Sequence, residues 1–126
     1  MSKENQIVDL EDRLITYAVS IIHATESIPK TKVGNHISGQ LIRCGTSPAS
    51  NYGEAQSAES RMDFIHKMKI CLKELRETRI WLLIIERANL LKQTSKLELL
   101  IKENNELISI FVKSVKTAKK GDVKPS

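Results

Sequence analysis

Residues 43–55 read RCGTSPASNYGEA. This stretch is small and polar in a chain otherwise dominated by Leu, Ile, Lys and Glu, and its reading decides the fold. It is an active-site loop, a phosphate cradle or a piece of architecture. Gly45 stands where a helix C-cap would use a left-handed residue. Ser47-Pro48 has the form of a helix restart, with serine as N-cap and proline at the first helical position. From Pro48 to Ser57 the pattern is helical again, with Ala49, Gly53 and Ser57 at four-residue steps. Small residues at that spacing let a second backbone approach closely, which gives Gly53 a packing use despite its helix cost. The second arm is therefore expected to be one long rod, kinked or broken near residues 45–47. Asn51, Glu54 and Glu59 then project from a helix and are not loop ligands.

Outward from that stretch, apolar residues recur at three- and four-residue steps. Ile7, Leu10, Leu14, Tyr17, Ala18, Ile21 and Ile28 mark a first amphipathic helix, widened by Ile15, Val19 and Ile22. Pro29 is expected to end it. Thr31 is a plausible N-cap for the second arm, which carries Val33, Ile37, Leu41 and Cys44. Ser60 caps a third helix, with Asp63 at its positive end. The stripe of the third helix runs through Phe64, Met68, Cys71, Leu75, Leu82 and Ile85. Ser95 and Glu98 form a capping-box pattern ahead of a fourth, through Leu97, Leu100, Leu107, Phe111 and Val115. There is no β alternation, and the connections are short. The expected fold is all-α, an antiparallel up-down-up-down four-helix bundle over residues 1–120, followed by a basic polar tail at 121–126.

At 126 residues there is room for one domain with a single core. With 40% hydrophobic and 28% charged residues the composition is that of an ordinary folded domain, and with five aromatic residues the core must be aliphatic. No apolar run approaches the roughly 20 residues of a membrane span. The polar, acidic start lacks the form of a secretory signal. Cys44 and Cys71 are too few for a disulfide framework, so a cytoplasmic location without a membrane partner is expected. The net charge of +5 is unevenly placed. Residues 1–29 hold two bases and five acids, whereas 113–126 hold five lysines against Asp122 alone. Lys113, Lys116, Lys119 and Lys120 can attract phosphate backbones, although such a run commonly forms a solvated tail.

Catalytic readings fail on motif grounds. GTSPASNYG lacks P-loop spacing and follows a helix rather than a strand. Ser47 and Ser50 have no identifiable base, and G-x-S-x-G is absent. His23, His36 and His66 lie on separate arms with no H-x-x-x-H pair. Glu54, Glu59, Glu74 and Glu77 lack the E-x-x-H motif of di-iron bundles. No catalytic residue, cofactor or metal site is expected. On the third helix Lys67, Lys69, Lys73 and Arg76 form a basic flank, while Glu74 and Glu77 interrupt the face holding Ile70 and Trp81. A Lys73–Glu77 pair would contribute only about 0.3–0.5 kcal/mol. Acids mixed among bases argue against a simple phosphate-binding stripe.

The segments SPASNYGEA (47–55), ESRMDFIHK (59–67) and LKELRETRIWL (72–82) closely resemble the four-helix-bundle proteins of the 23S rRNA intervening-sequence family. With their connections they lie in a matching run over residues 29–85. The resemblance implies an antiparallel bundle assembled as a ring-shaped homopentamer, in bacteria often encoded within insertions in large-subunit rRNA genes. It brings no established biochemical activity. A related branch, the accessory proteins of diversity-generating retroelements, uses a similar basic pentamer to bind a reverse transcriptase and nucleic acid. The family pattern includes Asn51, Glu54, Lys67, Glu74 and Glu77. Helices two and three face each other across residues 57–60, so these five side chains are expected to form a polar network that sets register.

Two functions follow from different classes. One is a non-enzymatic oligomer that binds RNA or DNA through Lys67, Lys69, Lys73, Arg76 and the lysines at 113–120. The other is an oligomeric scaffold that binds protein, kept open by the scarcity of aromatics for base stacking. In either case the Ile80–Ile85 run has more apolar surface than one bundle face covers, so Ile80, Trp81, Leu83 and Ile84 are expected at a subunit contact.

Overall fold

A computed structural model of the chain describes residues 9–121; Ile7 of the first stripe and all but the first residue of the expected 121–126 tail lie outside them. Four helices follow one another: α1 (Leu10–Glu26), α2 (Lys32–Gln56), α3 (Arg61–Arg87) and α4 (Thr94–Gly121). There is no strand among the described residues. The short connections 27–31, 57–60 and 88–93 turn each helix back along its predecessor. Consecutive helices pack extensively, and α1 meets α4 along a lighter seam that closes the four-helix bundle. This leaves α1 and α3 at diagonally opposite corners.

The core is aliphatic, as the composition requires. Leu14, Tyr17 and Ile21 of α1 meet Leu41 and Cys44 of α2, Cys71, Leu75, Leu82 and Ile85 of α3, and Leu97, Leu107 and Phe111 of α4. Burial at this periodicity is the main favourable term in the fold, at about 1.5–3 kcal/mol for each large aliphatic side chain. Thr31 Oγ1 accepts the Gly34 N–H at 3.0 Å and Ser60 Oγ accepts the Asp63 N–H at 3.0 Å, so both expected N-caps form. Each satisfies a backbone donor that the helix leaves open.

Several boundaries differ from expectation. The first helix stops at Glu26, where the Ser27 and Ile28 N–H groups turn back to the Ala24 and Thr25 carbonyls, ahead of Pro29. Helical bonding in α4 begins before Ser95, since the Leu97 N–H reaches the Gln93 carbonyl at 3.4 Å; Ser95 is inside the first turn and caps nothing. Lys113, Lys116, Lys119 and Lys120 are not a tail. They belong to α4, whose Val115 is buried at the same level.

The main correction concerns the opening stretch. α2 is continuous through 45–47, with no break, and no glycine has a positive φ. Gly45 is needed for space and not for a turn, because a Cβ there would lie 2.9 Å from Ile21 Cγ2. Pro48 sits inside the helix and leaves the Cys44 carbonyl without its usual donor. The surrounding polar side chains bond the helix's own carbonyls. Thr46 Oγ1 donates to the Ile42 carbonyl at 2.6 Å, and Ser50 Oγ and Asn51 Nδ2 donate to the Ser47 carbonyl at 3.1 Å. Gly53 does not make the expected close approach: a Cβ there would meet nothing within 4 Å. The stretch is architecture, with its tight contact at Gly45.

Candidate functional site

Side chains on the α2–α3 layer are held by a polar network centred on Arg43. Its guanidinium bonds Glu74 Oε2 at 3.1 Å, Gln40 Oε1 at 3.0 Å and the Glu77 carboxylate. Ser47 Oγ donates to Glu74 at 3.1 Å, and Asn51 Nδ2 reaches Ser47 Oγ at 3.3 Å. Trp81 Nε1 donates to Glu77 at 3.1 Å, and its ring meets His36 edge-on at 5.9 Å. One turn beyond the Asn51 end, Lys67 Nζ bonds Glu54 Oε1 at 2.8 Å. Burial opposes the Arg43 charge, but Glu77 and Glu74 outweigh it and raise the proton affinity of the guanidinium above its ordinary value. Asn51, Glu54, Lys67, Glu74 and Glu77 thus share one layer, although Asn51 bonds within α2 and does not reach Lys67. Arg43 was not among the residues singled out from sequence, because both of its carboxylates come from another helix.

This network changes the electrostatics of the next face. Glu74 and Glu77 are turned to α2, on the side of α3 that holds Trp81, and Glu77 pairs with Arg43 rather than Lys73. Lys67 is engaged by Glu54 on the same side. On α4 the nearby acids Glu103 and Glu106 are turned the other way, to Arg13 of α1, with three contacts of 2.7 Å. What remains exposed is Lys69, Lys73 and Arg76 along α3, and Lys113, Lys116, Lys119 and Lys120 along the end of α4. Arg61 Nη1 donates to the Ala118 carbonyl at 3.4 Å, which sets the start of α3 beside the end of α4. The lysines at the end of α4 therefore lie beside the start of α3, and Lys69, Lys73 and Arg76 follow further along α3. Together they form a basic strip that extends about 22 Å along α3 by helical rise from Arg61 to Arg76.

The lighter α1–α4 seam holds an open cleft of about 600 Å³, lined among others by Tyr17, His23, Lys96, Leu99 and Glu103. Beneath it, Tyr17 Oη and both Asn104 amide atoms are buried without a partner in hydrogen-bonding geometry. Burial raises the Tyr17 phenol well above its ordinary range, the neighbouring Asn104 amide offsetting part of the effect. Cys44 and Cys71 are buried thiols; burial pushes Cys71 up to about 12. Among the described residues no group of three or more His, Cys, Asp or Glu can hold a metal ion, and no helix is long and apolar enough to cross a membrane. Of the expected subunit contacts, Ile80 and Ile84 are exposed on α3. Trp81 and Leu83 are half-buried, with Trp81 taken up by the network.

No curated protein matches the chain. A crystal structure of a protein with unknown function from the S23 ribosomal protein family of Bacteroides thetaiotaomicron VPI-5482 is similar at 30% identity and a TM-score of 0.77. The similarity covers 84% of this chain and 97% of that one. The profile of the family described as 23S rRNA-intervening sequence protein matches residues 9–113, spanning all four helices to within two turns of the end of α4. Fold, helix order and sequence agree: the chain belongs to the 23S rRNA-intervening sequence protein family.

Proposed function

We propose that the protein is a non-enzymatic, cytoplasmic homo-oligomer, pentameric as the family resemblance implies, that binds RNA or DNA through its basic strip. The observation that carries the reading is the segregation of charge. Glu74 and Glu77 are drawn to Arg43, and Glu103 and Glu106 to Arg13, while Lys69, Lys73, Arg76 and the lysines of α4 stay exposed without an ion pair among the described residues. Such a surface attracts phosphates without reading bases. The exposed side of the strip lacks aromatic residues, so stacking contributes little and preference among sequences is weak. Oligomerisation repeats the strip and multiplies a modest affinity per subunit.

The test replaces Lys69, Lys73, Lys113 and Lys116 together by Gln, leaving the buried Val115 in place. Fluorescence anisotropy on single-stranded RNA and duplex DNA should show binding by the native chain at low salt. The variant should lose at least about tenfold in affinity at unchanged oligomer size. Native protein that binds neither nucleic acid at low salt would overturn the reading and leave a protein-binding scaffold.

A further inference from the structure

Two exposed stripes at opposite corners of the bundle have complementary chemistry. On α1, Asp12, Ile15, Val19, Ile22 and Glu26 follow one another at three- and four-residue steps along the outer side. Ile15 is 48% exposed, Val19 45% and Ile22 41%, which is unusual for three aliphatic residues in register on one helix. On α3 the matching positions are Arg76, Ile80, Ile84 and Arg87, with Ile80 51% and Ile84 39% exposed. Each stripe is an apolar centre between like charges, acidic on α1 and basic on α3. None of the four charged residues has an ion pair among the described residues, whereas Arg13, Arg43 and Lys67 nearby are all paired.

We infer that the α1 stripe of one copy docks on the α3 stripe of the next, the two aliphatic centres meeting and Asp12 and Glu26 flanking Arg76 and Arg87. The occupant of each stripe is a second copy of this chain, because the same molecule displays both the apolar and the charged complement. Like-charge ends make α1-on-α1 and α3-on-α3 pairing unfavourable, so the contact is heterologous. Since α1 and α3 occupy diagonal corners, a copy bound through one stripe presents the other to a further copy. A head-to-tail contact of this kind generates a ring when its rotation closes. Arg76 is taken up by this contact, so in the assembled protein Lys69, Lys73 and the lysines of α4 remain for phosphate. The inference rests on the oligomeric part of the proposed function and adds the surfaces that carry it.

The experiment uses the full chain and two variants, Val19→Glu and Ile80→Glu, in sedimentation velocity. Both positions are exposed, and far-UV circular dichroism should show both variants folded. Each alone should be monomeric, since a buried carboxylate interrupts one stripe. Mixed at high protein concentration they should form a one-to-one dimer, because the first keeps its α3 stripe and the second its α1 stripe. The reversal Asp12→Lys with Glu26→Lys should weaken assembly, and adding Arg76→Glu with Arg87→Glu should restore it. Oligomers that persist in both single variants would overturn the docking surfaces while leaving the oligomer intact. Monomeric variants that fail to complement would overturn the heterologous pairing. A native chain that is itself monomeric would overturn the oligomer and this inference together.

Discussion

A methyl group added at Gly45 would arrive 2.9 Å from Ile21 Cγ2 and 3.0 Å from Cγ1, both on a fully buried, β-branched side chain that cannot swing aside. Gly45→Ala should therefore cost about 1–3 kcal/mol through overpacking, although alanine is the better helix former. Gly53→Ala meets nothing within 4 Å and should stabilise the isolated subunit by up to about 1 kcal/mol. Urea denaturation of the pair gives opposite signs if the contact at Gly45 is as tight as described. The buried thiols supply a second test. Cys71 is raised from 9.0 in the unfolded chain to about 12 in the fold, and Cys44 is raised in the same direction, both chiefly by burial. Above pH 9 the unfolded chain gives up these protons first, so it binds fewer protons than the native state and stability falls as pH rises from 9 towards 12. The urea midpoint should drop over that window, and less steeply in Cys71→Ala. Neither thiol should react with a thiol reagent at neutral pH until the protein unfolds.

The caps are the smallest elements that can be tested independently. Thr31→Ala and Ser60→Ala should each cost about 1 kcal/mol, and their effects should add because they lie at opposite ends of α2. Ser95→Ala, inside the first turn of α4, should change stability by less than about 0.5 kcal/mol. At this scale much of the fold was legible in the sequence. The four apolar stripes have a helical period, and Thr31 and Ser60 precede their helices with the right side chains. The misses share a physical reason. Gly45 and Ser47-Pro48 have the local form of a helix end and restart, but the role of Gly45 is set by Ile21, which only the folded chain brings to it. Ser95 and Glu98 match a capping box by spacing, yet bonding from Gln93 starts the helix sooner. Glu74 and Glu77 could be placed on α3 from sequence, but not turned to Arg43, which lies 31 and 34 residues away in the chain.

For the whole molecule, the decisive feature is that ion pairs between helices engage four of the acids of α3 and α4. The sequence has a modest excess of base, and the acids among the lysines of α3 concealed how that excess is displayed. Packing α2 on α3 and α1 on α4 draws four carboxylates to Arg43 and Arg13, while Lys69, Lys73, Arg76 and the lysines of α4 stay exposed. If the exposed bases hold nucleic-acid phosphates, as proposed, counterion release gives a direct measurement. The affinity of the assembled protein for duplex DNA and single-stranded RNA should be titrated against salt, for the native chain and for the variant with Lys69, Lys73, Lys113 and Lys116 replaced by Gln. Log affinity should fall linearly with log salt, with a slope that shrinks in the variant by about 0.9 for each lost contact on DNA and about 0.7 on RNA. A native slope near zero, or a steep slope that the four substitutions leave unchanged, would contradict the proposal.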